Sequence, residues 1–201
     1  MISCIITVYH NEKALDNLLK HVNLIDEITE VILVFDGYPI PEPFKNDMFS
    51  AYIGIRSIAN YPDIEWGISR AKNIGAANAR GDWFMFMDMD HKPIAPWLKS
   101  DLQQLAYKKA NILKRVTALA EGHSIQNVIV HRDLFFEIGG FDERFDGHYG
   151  FEDKFFIDRI GKVKKTNLAV GYTGRAGEVN LNRDPSHNKD LYEKLKRGLH
   201  S

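Results

Sequence analysis

Apolar and polar residues come in blocks along this chain, and the blocks predict its elements. Residues 2–8, "ISCIITV", form an apolar run with the character of a buried strand. An amphipathic pattern follows from a possible helix cap at Asn11 to about Val22. Residues 31–35 predict a second strand, closed by "DGYPIPEP", whose Gly and Pro residues forbid regular structure. Residues 51–58 alternate well enough for a third strand. Ser69 is placed to cap a helix through about Ala79, which Gly81 ends before an apolar strand at 83–87. Strands separated by helices predict βαβ units, an α/β chain with a mostly parallel sheet flanked by helices.

The second half is less regular. It predicts a helix at 96–108, a short strand at 127–131 and a short helix at 132–138. The loop "GGFDERFDGHYG" leads into a helix over 151–160, and residues 165–172 predict one more strand. The C-terminal "HNKDLYEKLKRGLH" reads as a polar helix or tail whose basic charges lie on a solvated face.

Residues 83–91, "WFMFMDMDH", pose the chemical question. A strand buried on both faces ends in Asp88 and Asp90, two carboxylates spaced to point to one side. Like charges there repel unless a cation sits between them. In parallel α/β sheets, ligands bind beyond the carboxyl ends of the strands. Tyr9-His10, Asp36 and the Asp88/Asp90 pair all fall at such ends, a set suited to a nucleotide whose diphosphate carries a divalent metal. Mg²⁺ and Mn²⁺ take oxygen ligands and commonly use one or two carboxylates plus substrate phosphates. Arg70 and Lys72, on the preceding helix, are candidate cationic contacts to the nucleotide, with a solvated helix face as the plain alternative. In "GHYGFEDKFFIDR", Gly147 and Gly150 allow close approach of the backbone to a ligand, and Tyr149 and Phe151 offer faces for a sugar ring. Glu152 and Asp153 open the next helix, where the helix dipole alone would favour carboxylates.

Composition narrows the classes. The chain has 201 residues, 44% hydrophobic and 26% charged, as expected of a single globular domain. A formal net charge of -1 gives no global basic field for nucleic acid or an anionic membrane. The sole cysteine, Cys4, lies in an apolar run, so no disulfide forms within the chain, which suits a reducing compartment. The amino-terminal stretch lacks a basic region and is too short for a signal peptide, and no segment reaches the roughly 20 apolar residues of a membrane span. The expectation is a cytoplasmic protein without its own anchor.

Three segments, "ISCIITVYHNE", "SRAKNIGAANARGDWFMFMDMD" and "GGFDERFDGHYGFEDKFFIDR", resemble glycosyltransferases of the GT-A fold, of the family-2 type. The last is also similar to the β-1,4-galactosyltransferase-like branch. The resemblance covers most of residues 1–160 and implies one catalytic domain over 1–201, with a nucleotide-binding half to about residue 95 and an acceptor-binding half after it. It implies a metal-dependent, inverting transfer from a nucleotide-sugar donor, UDP by default, to an acceptor hydroxyl of a glycan, with Mn²⁺ or Mg²⁺. Carried over by position, Tyr9, Asp36, Arg70 and Lys72 fall on the donor side. Asp88 lies near the ribose or sugar, and Asp90 ligates the metal. Asp153 would be the base, supported by Glu152, with Tyr149, Gly150 and Phe151 around the acceptor. A histidine beyond this helix completes the metal site in related enzymes. His187 is the best-placed candidate, ahead of His91 and His131. The chain departs from the family in "VFDGY", which offers only Asp36 where two acids are commoner, and in His91 after the Asp-x-Asp motif. The competing readings are a non-catalytic sugar-binding module and a haloacid-dehalogenase-type phosphatase, whose nucleophile would be expected early in the chain.

Overall fold

The computed structural model describes residues 1–10, 12–22, 25–45, 54–60, 66–89, 91–93, 117–119, 127–161, 163–165, 170–172 and 181–199. The helix expected at 96–108, and Asp90, lie outside these residues.

The apolar run at the amino terminus forms β1 (Ile2–Val8), followed by α1 (Glu12–Val22). Then come β2 (Ile28–Asp36), a single turn α2 (Glu42–Lys45), β3 (Gly54–Asn60), α3 (Ile68–Asn78) and β4 (Trp83–Asp88). The remaining elements are β5 (His91–Pro93), β6 (Thr117–Leu119), β7 (Val128–His131), α4 (Arg132–Glu137), a 3₁₀ turn (Glu143–Phe145), α5 (Glu152–Ile160), β8 (Val163–Lys165), β9 (Val170–Tyr172) and α6 (Ser186–Leu199). Seven strands join in the order β3-β2-β1-β4-β7-β6-β8, while β5 and β9 form a separate antiparallel pair. β1 runs parallel to β2 and β4, and β2 parallel to β3, as the alternation of strands and helices predicts.

Side chains alternate between two cores, one on each face of the sheet. Cys4, Ile6 and Val8 pack with Leu33, Phe35, Met85 and Met87 against Leu15, Leu18 and Leu19 of α1. Ile5, Val34, Phe84 and Phe86 pack on the other face with Ala71 and Ala76 of α3 and with Phe135, Phe141 and Phe156. Burial on both sides is why these strands read as continuous apolar runs. It also pushes the Cys4 thiol up to about 12, so Cys4 is an inert core residue. Gly75 lets α3 lie close on β1, because a Cβ there would overlap the side chain of Ile5.

Two expectations need correction. The described ends of the 165–172 run belong to different sheets: β8 joins the large sheet beside β6, and β9 pairs with β5. The basic charges of α6 do lie on its solvated side, but the helix also has a buried side. Asn188 and Tyr192 are fully buried, and Tyr192 packs with Phe145 and Phe155 in a third cluster. Ser69 does not cap α3 but lies inside its first turn. The amides there are bound instead by the carboxylate of Asp146, which accepts from Ser69 N at 2.8 Å and Arg70 N at 2.9 Å.

Candidate active site

The parallel arrangement brings the carboxyl ends of β1, β2 and β4 to one edge, with Thr7 of β1 opposite Asp88 of β4. Just past β1, His10 stacks on Tyr38 with centroids 4.1 Å apart, and Tyr9 meets both rings edge-on. Asp36 ends β2 and is 3% exposed. Gly67, ahead of α3, is pressed against it: a Cβ at Gly67 would stand 2.8 Å from Asp36 Oδ1. An aromatic group and a sunken carboxylate therefore share the crevice with Asp88.

Opposite them sits a charge cluster built across three elements. Lys72 of α3 is 2% exposed, and its ammonium lies 2.6 Å from Oδ1 of Asp153 on α5. Burial alone would push Lys72 down, but Asp153, Asp88 and Glu152 more than offset it, so the ammonium stays charged. Burial, and then the neighbouring charge of Asp153, push Glu152 up to about 8, against the pull of Lys72. The two adjacent carboxyls are thus unlike. One is engaged by an ammonium, and the other is a half-buried acid that holds its proton near neutral pH. Lys72 also stacks over Phe141 at 4.7 Å. A solvated face is ruled out for Lys72, whereas Arg70 is half-exposed. Asp88 at the strand end has a basic neighbour, since Lys72 feels its charge from α3.

The loop into α5 is held from several sides. Asn73 pairs with the backbone of Phe141, donating to its carbonyl at 2.9 Å and accepting from its amide at 2.8 Å. Arg159 donates to the carbonyls of Ile138 and Gly140. Gly147 and Gly150 have φ of 92° and 84°, and Phe151 itself sits at 70°, a left-handed backbone that a non-glycine residue adopts only where its surroundings impose it. Tyr149 meets Trp66 with centroids 4.8 Å apart, Arg183 lies over both rings, and the Trp66 indole N–H donates to the carbonyl of Asn182 at 2.7 Å.

Asp36, Lys72, Asp88, Glu152 and Asp153 are therefore brought to one side of the sheet. His187 is exposed and stacks on His148, centroids 3.7 Å apart. His131 caps α4, accepting from Asp133 N. Among the described residues, no three His, Cys, Asp or Glu side chains gather to hold an ion by themselves. Trp66, Arg183 and Asn188 were not singled out by sequence. A tryptophan beside a glycine was the available signal for the first, and nothing local marked the other two.

A seven-stranded sheet with parallel strands ordered 3-2-1-4, and acids at its carboxyl edge, defines the chain as a GT-A type α/β domain. The pattern of glycosyl transferase family 2 matches residues 3–176, and the chain belongs to that family. No curated protein is significantly similar in sequence. The structure of S. aureus TarS 1-349 in complex with UDP-GlcNAc superposes with a TM-score of 0.70 at 16% identity, over 97% of this chain and 65% of that one. GalNAc-T7 with UDP, GalNAc and Mn²⁺ superposes with a TM-score of 0.69 at 14% identity, over 87% of this chain and 44% of that one. Mannosyltransferase PcManGT from Pyrobaculum calidifontis, in complex with GDP-Man and Mn²⁺, gives 0.65 at 12% identity, over 82% and 54%. The chain spans less than two thirds of the length of each of these proteins. No helix among the described residues is long and apolar enough to cross a membrane.

Proposed function

We propose that this chain is a single catalytic domain that transfers a sugar, with inversion, from a nucleotide-sugar donor, by default UDP-linked, to a hydroxyl of a glycan acceptor. The observation that carries this is the cluster of Lys72, Asp153, Glu152 and Asp88 at the carboxyl edge of a family-2 sheet. The bound UDP-GlcNAc, UDP and GDP-Man of the similar structures support a nucleotide-sugar donor.

On this reading Asp36 receives hydrogen bonds from the nucleoside, while Tyr9 stands beside it as a ring to stack on. Tyr149, Gly150 and Phe151 border the acceptor. The acceptor oxygen attacks the anomeric carbon from the face opposite the diphosphate, and the bond from that carbon to the phosphate oxygen breaks. The diphosphate leaves with the electron pair, and Asp153 takes the acceptor proton as the new bond forms. Lys72 fixes Oδ1 of Asp153 and so orients the carboxylate. Glu152, which holds its proton near neutrality, is suited to donate a hydrogen bond to an acceptor oxygen.

The residues fit a divalent ion. Asp88 is a hard oxygen donor, half-buried at the strand end, and Mg²⁺ or Mn²⁺ needs only one or two carboxylates when phosphates and waters supply the rest. Asp88 and Asp90 would hold it, with His187 as the candidate third ligand. The ion would supply Lewis-acid neutralisation of charge on the departing diphosphate.

A panel of nucleotide sugars, read by thermal shift and by donor hydrolysis with Mn²⁺, tests the reading. Binding with no turnover for any donor, in wild type with Asp153 intact, would favour a binding module instead. UDP titrated with and without Mn²⁺ into wild type and Asp90→Ala isolates the metal claim, and equal affinity in all four cases overturns it.

A further inference from the structure

We infer that Asn188, on α6, is a positioning residue for the loop that aims Glu152 and Asp153, an assignment that rests on the glycosyl-transfer reading above. Its side chain is fully buried. Nδ2 donates to the carbonyls of Phe145 at 2.8 Å, His148 at 2.8 Å and Gly150 at 2.9 Å. An amide NH₂ carries only two protons, so at least one is shared between two of these carbonyls. The three oxygens bracket the turn that ends in left-handed Gly150 and Phe151, after which the next two residues are Glu152 and Asp153. A non-glycine residue in that region is strained and persists only where neighbours over-determine it.

Two anchors flank this turn. Asp146 binds it to the first turn of α3, which also carries Lys72, the partner of Asp153. Asn188 binds it from α6. α6 lies beyond residue 176, where the match to the family pattern ends. Tyr192, one turn further along α6, completes the seat: its hydroxyl donates to Asp158 Oδ2 at 2.6 Å, and its ring packs on Phe151. The bonds to three carbonyls require a donor at position 188, not merely a side chain of that volume. Asp has nearly the same shape but turns an oxygen toward three carbonyl oxygens.

The full-length variants Asn188→Ala, Asn188→Asp and Tyr192→Phe test the assignment. Three readouts are UDP affinity with Mn²⁺, the rate of UDP-GlcNAc hydrolysis, and amide hydrogen exchange over 147–151. The expected result is unchanged UDP affinity in all three variants. Asn188→Ala loses kcat by about 10²-fold, the scale set by a small misplacement of a catalytic group, and its 147–151 amides exchange faster. Asn188→Asp is worse than Ala on both counts, which a packing role would reverse. Tyr192→Phe keeps exchange over 147–151 at the wild-type level. Exchange that stays at the wild-type level in both Asn188 variants, or Asp outperforming Ala, overturns the assignment. If wild type hydrolyses no nucleotide sugar, the glycosyl-transfer reading fails by itself, and the exchange data still decide whether Asn188 holds the loop.

Discussion

The two halves of this molecule are held together by different physics. Around β1, β2, β4 and α3, cohesion is apolar: strands buried on both faces pack between α1 and α3, and nearly every side chain along β1, β2 and β4 is buried. Over 138–151, which α6 packs against, the chain is irregular. Its carbonyls and amides are caught one by one by distant side chains, namely Asn73, Arg159 and Asn188, while its own Asp146 accepts from amides of α3. The first half makes a rigid shelf. The second makes a loop pinned by a few polar bonds, whose shape can change without disturbing the sheet.

The sharpest way to separate the halves is to change chemistry without changing shape. Asp153→Asn keeps the volume beside Lys72 and removes the proton acceptor. It is expected to lower kcat by roughly 10²–10⁴-fold while UDP affinity holds, measured by steady-state hydrolysis and by titration. If Asp153→Asn turns over normally and Glu152→Gln is dead, the two roles are reversed.

Next in size is a break in the shelf itself. Phe86 is fully buried, stacks with Phe135 and meets Phe141 and Phe156 edge-on. Truncation to Ala should cost about 3–5 kcal/mol, lowering Tm and donor binding together, because the acids at the carboxyl edge ride on those strands. A Tm within error of wild type, or donor binding that survives at wild-type strength, counts against it.

The same contrast explains what could be read from residue order. Apolar runs show their period locally, so β1, β2, β4 and the helices between them were legible, as was the family through its spaced acids. The rest depends on partners far along the chain. Nothing near Ser69 announces that Asp146 will bind the amides of its turn, 77 residues on. Nor does "HNKDLYEKLKRGLH" announce that its second residue will be buried against three carbonyls. Lys72 read as a nucleotide contact or a solvated helix cation because its charge was weighed without Asp153, 81 residues away. Polar tethers have no sequence period, so the loop into α5 became readable only in three dimensions.

A smaller effect should follow from cutting one tether. Asn73→Ala removes the paired bonds to Phe141 and the bond to Glu143 Oε1. The expected cost is about 1–3 kcal/mol from the backbone groups left without partners, with faster hydrogen exchange confined to residues 139–146. Exchange that rises equally in β1 and β2 would mean the two halves unfold as one, against the division drawn above.

The mildest test uses pH and Glu152. Its carboxyl is raised from 4.5 to about 8 in the folded protein, first by burial and then by the charge of Asp153. The folded state therefore holds a proton that the unfolded state has released throughout that window. Stability rises with pH only where the unfolded state binds more protons, so here the sign is the reverse. Glu152 costs nothing below about pH 4.5, and its contribution turns progressively unfavourable as pH climbs toward 8. Glu152→Gln has no proton to lose and should escape that decline. Solvent reaches the half-buried carboxyl and screens part of the penalty, leaving an advantage for Gln of roughly 1 kcal/mol at pH 8.5, or about 2–4 °C in Tm for a domain of this size. At pH 5 the two proteins should melt together. A constant difference across the range would mean the carboxyl is not the titrating group. Wild type melting above Glu152→Gln at pH 8.5, with the gap closing toward low pH, would mean that Lys72 dominates its surroundings and Glu152 is ionised in the folded state, leaving it no proton to offer an acceptor oxygen.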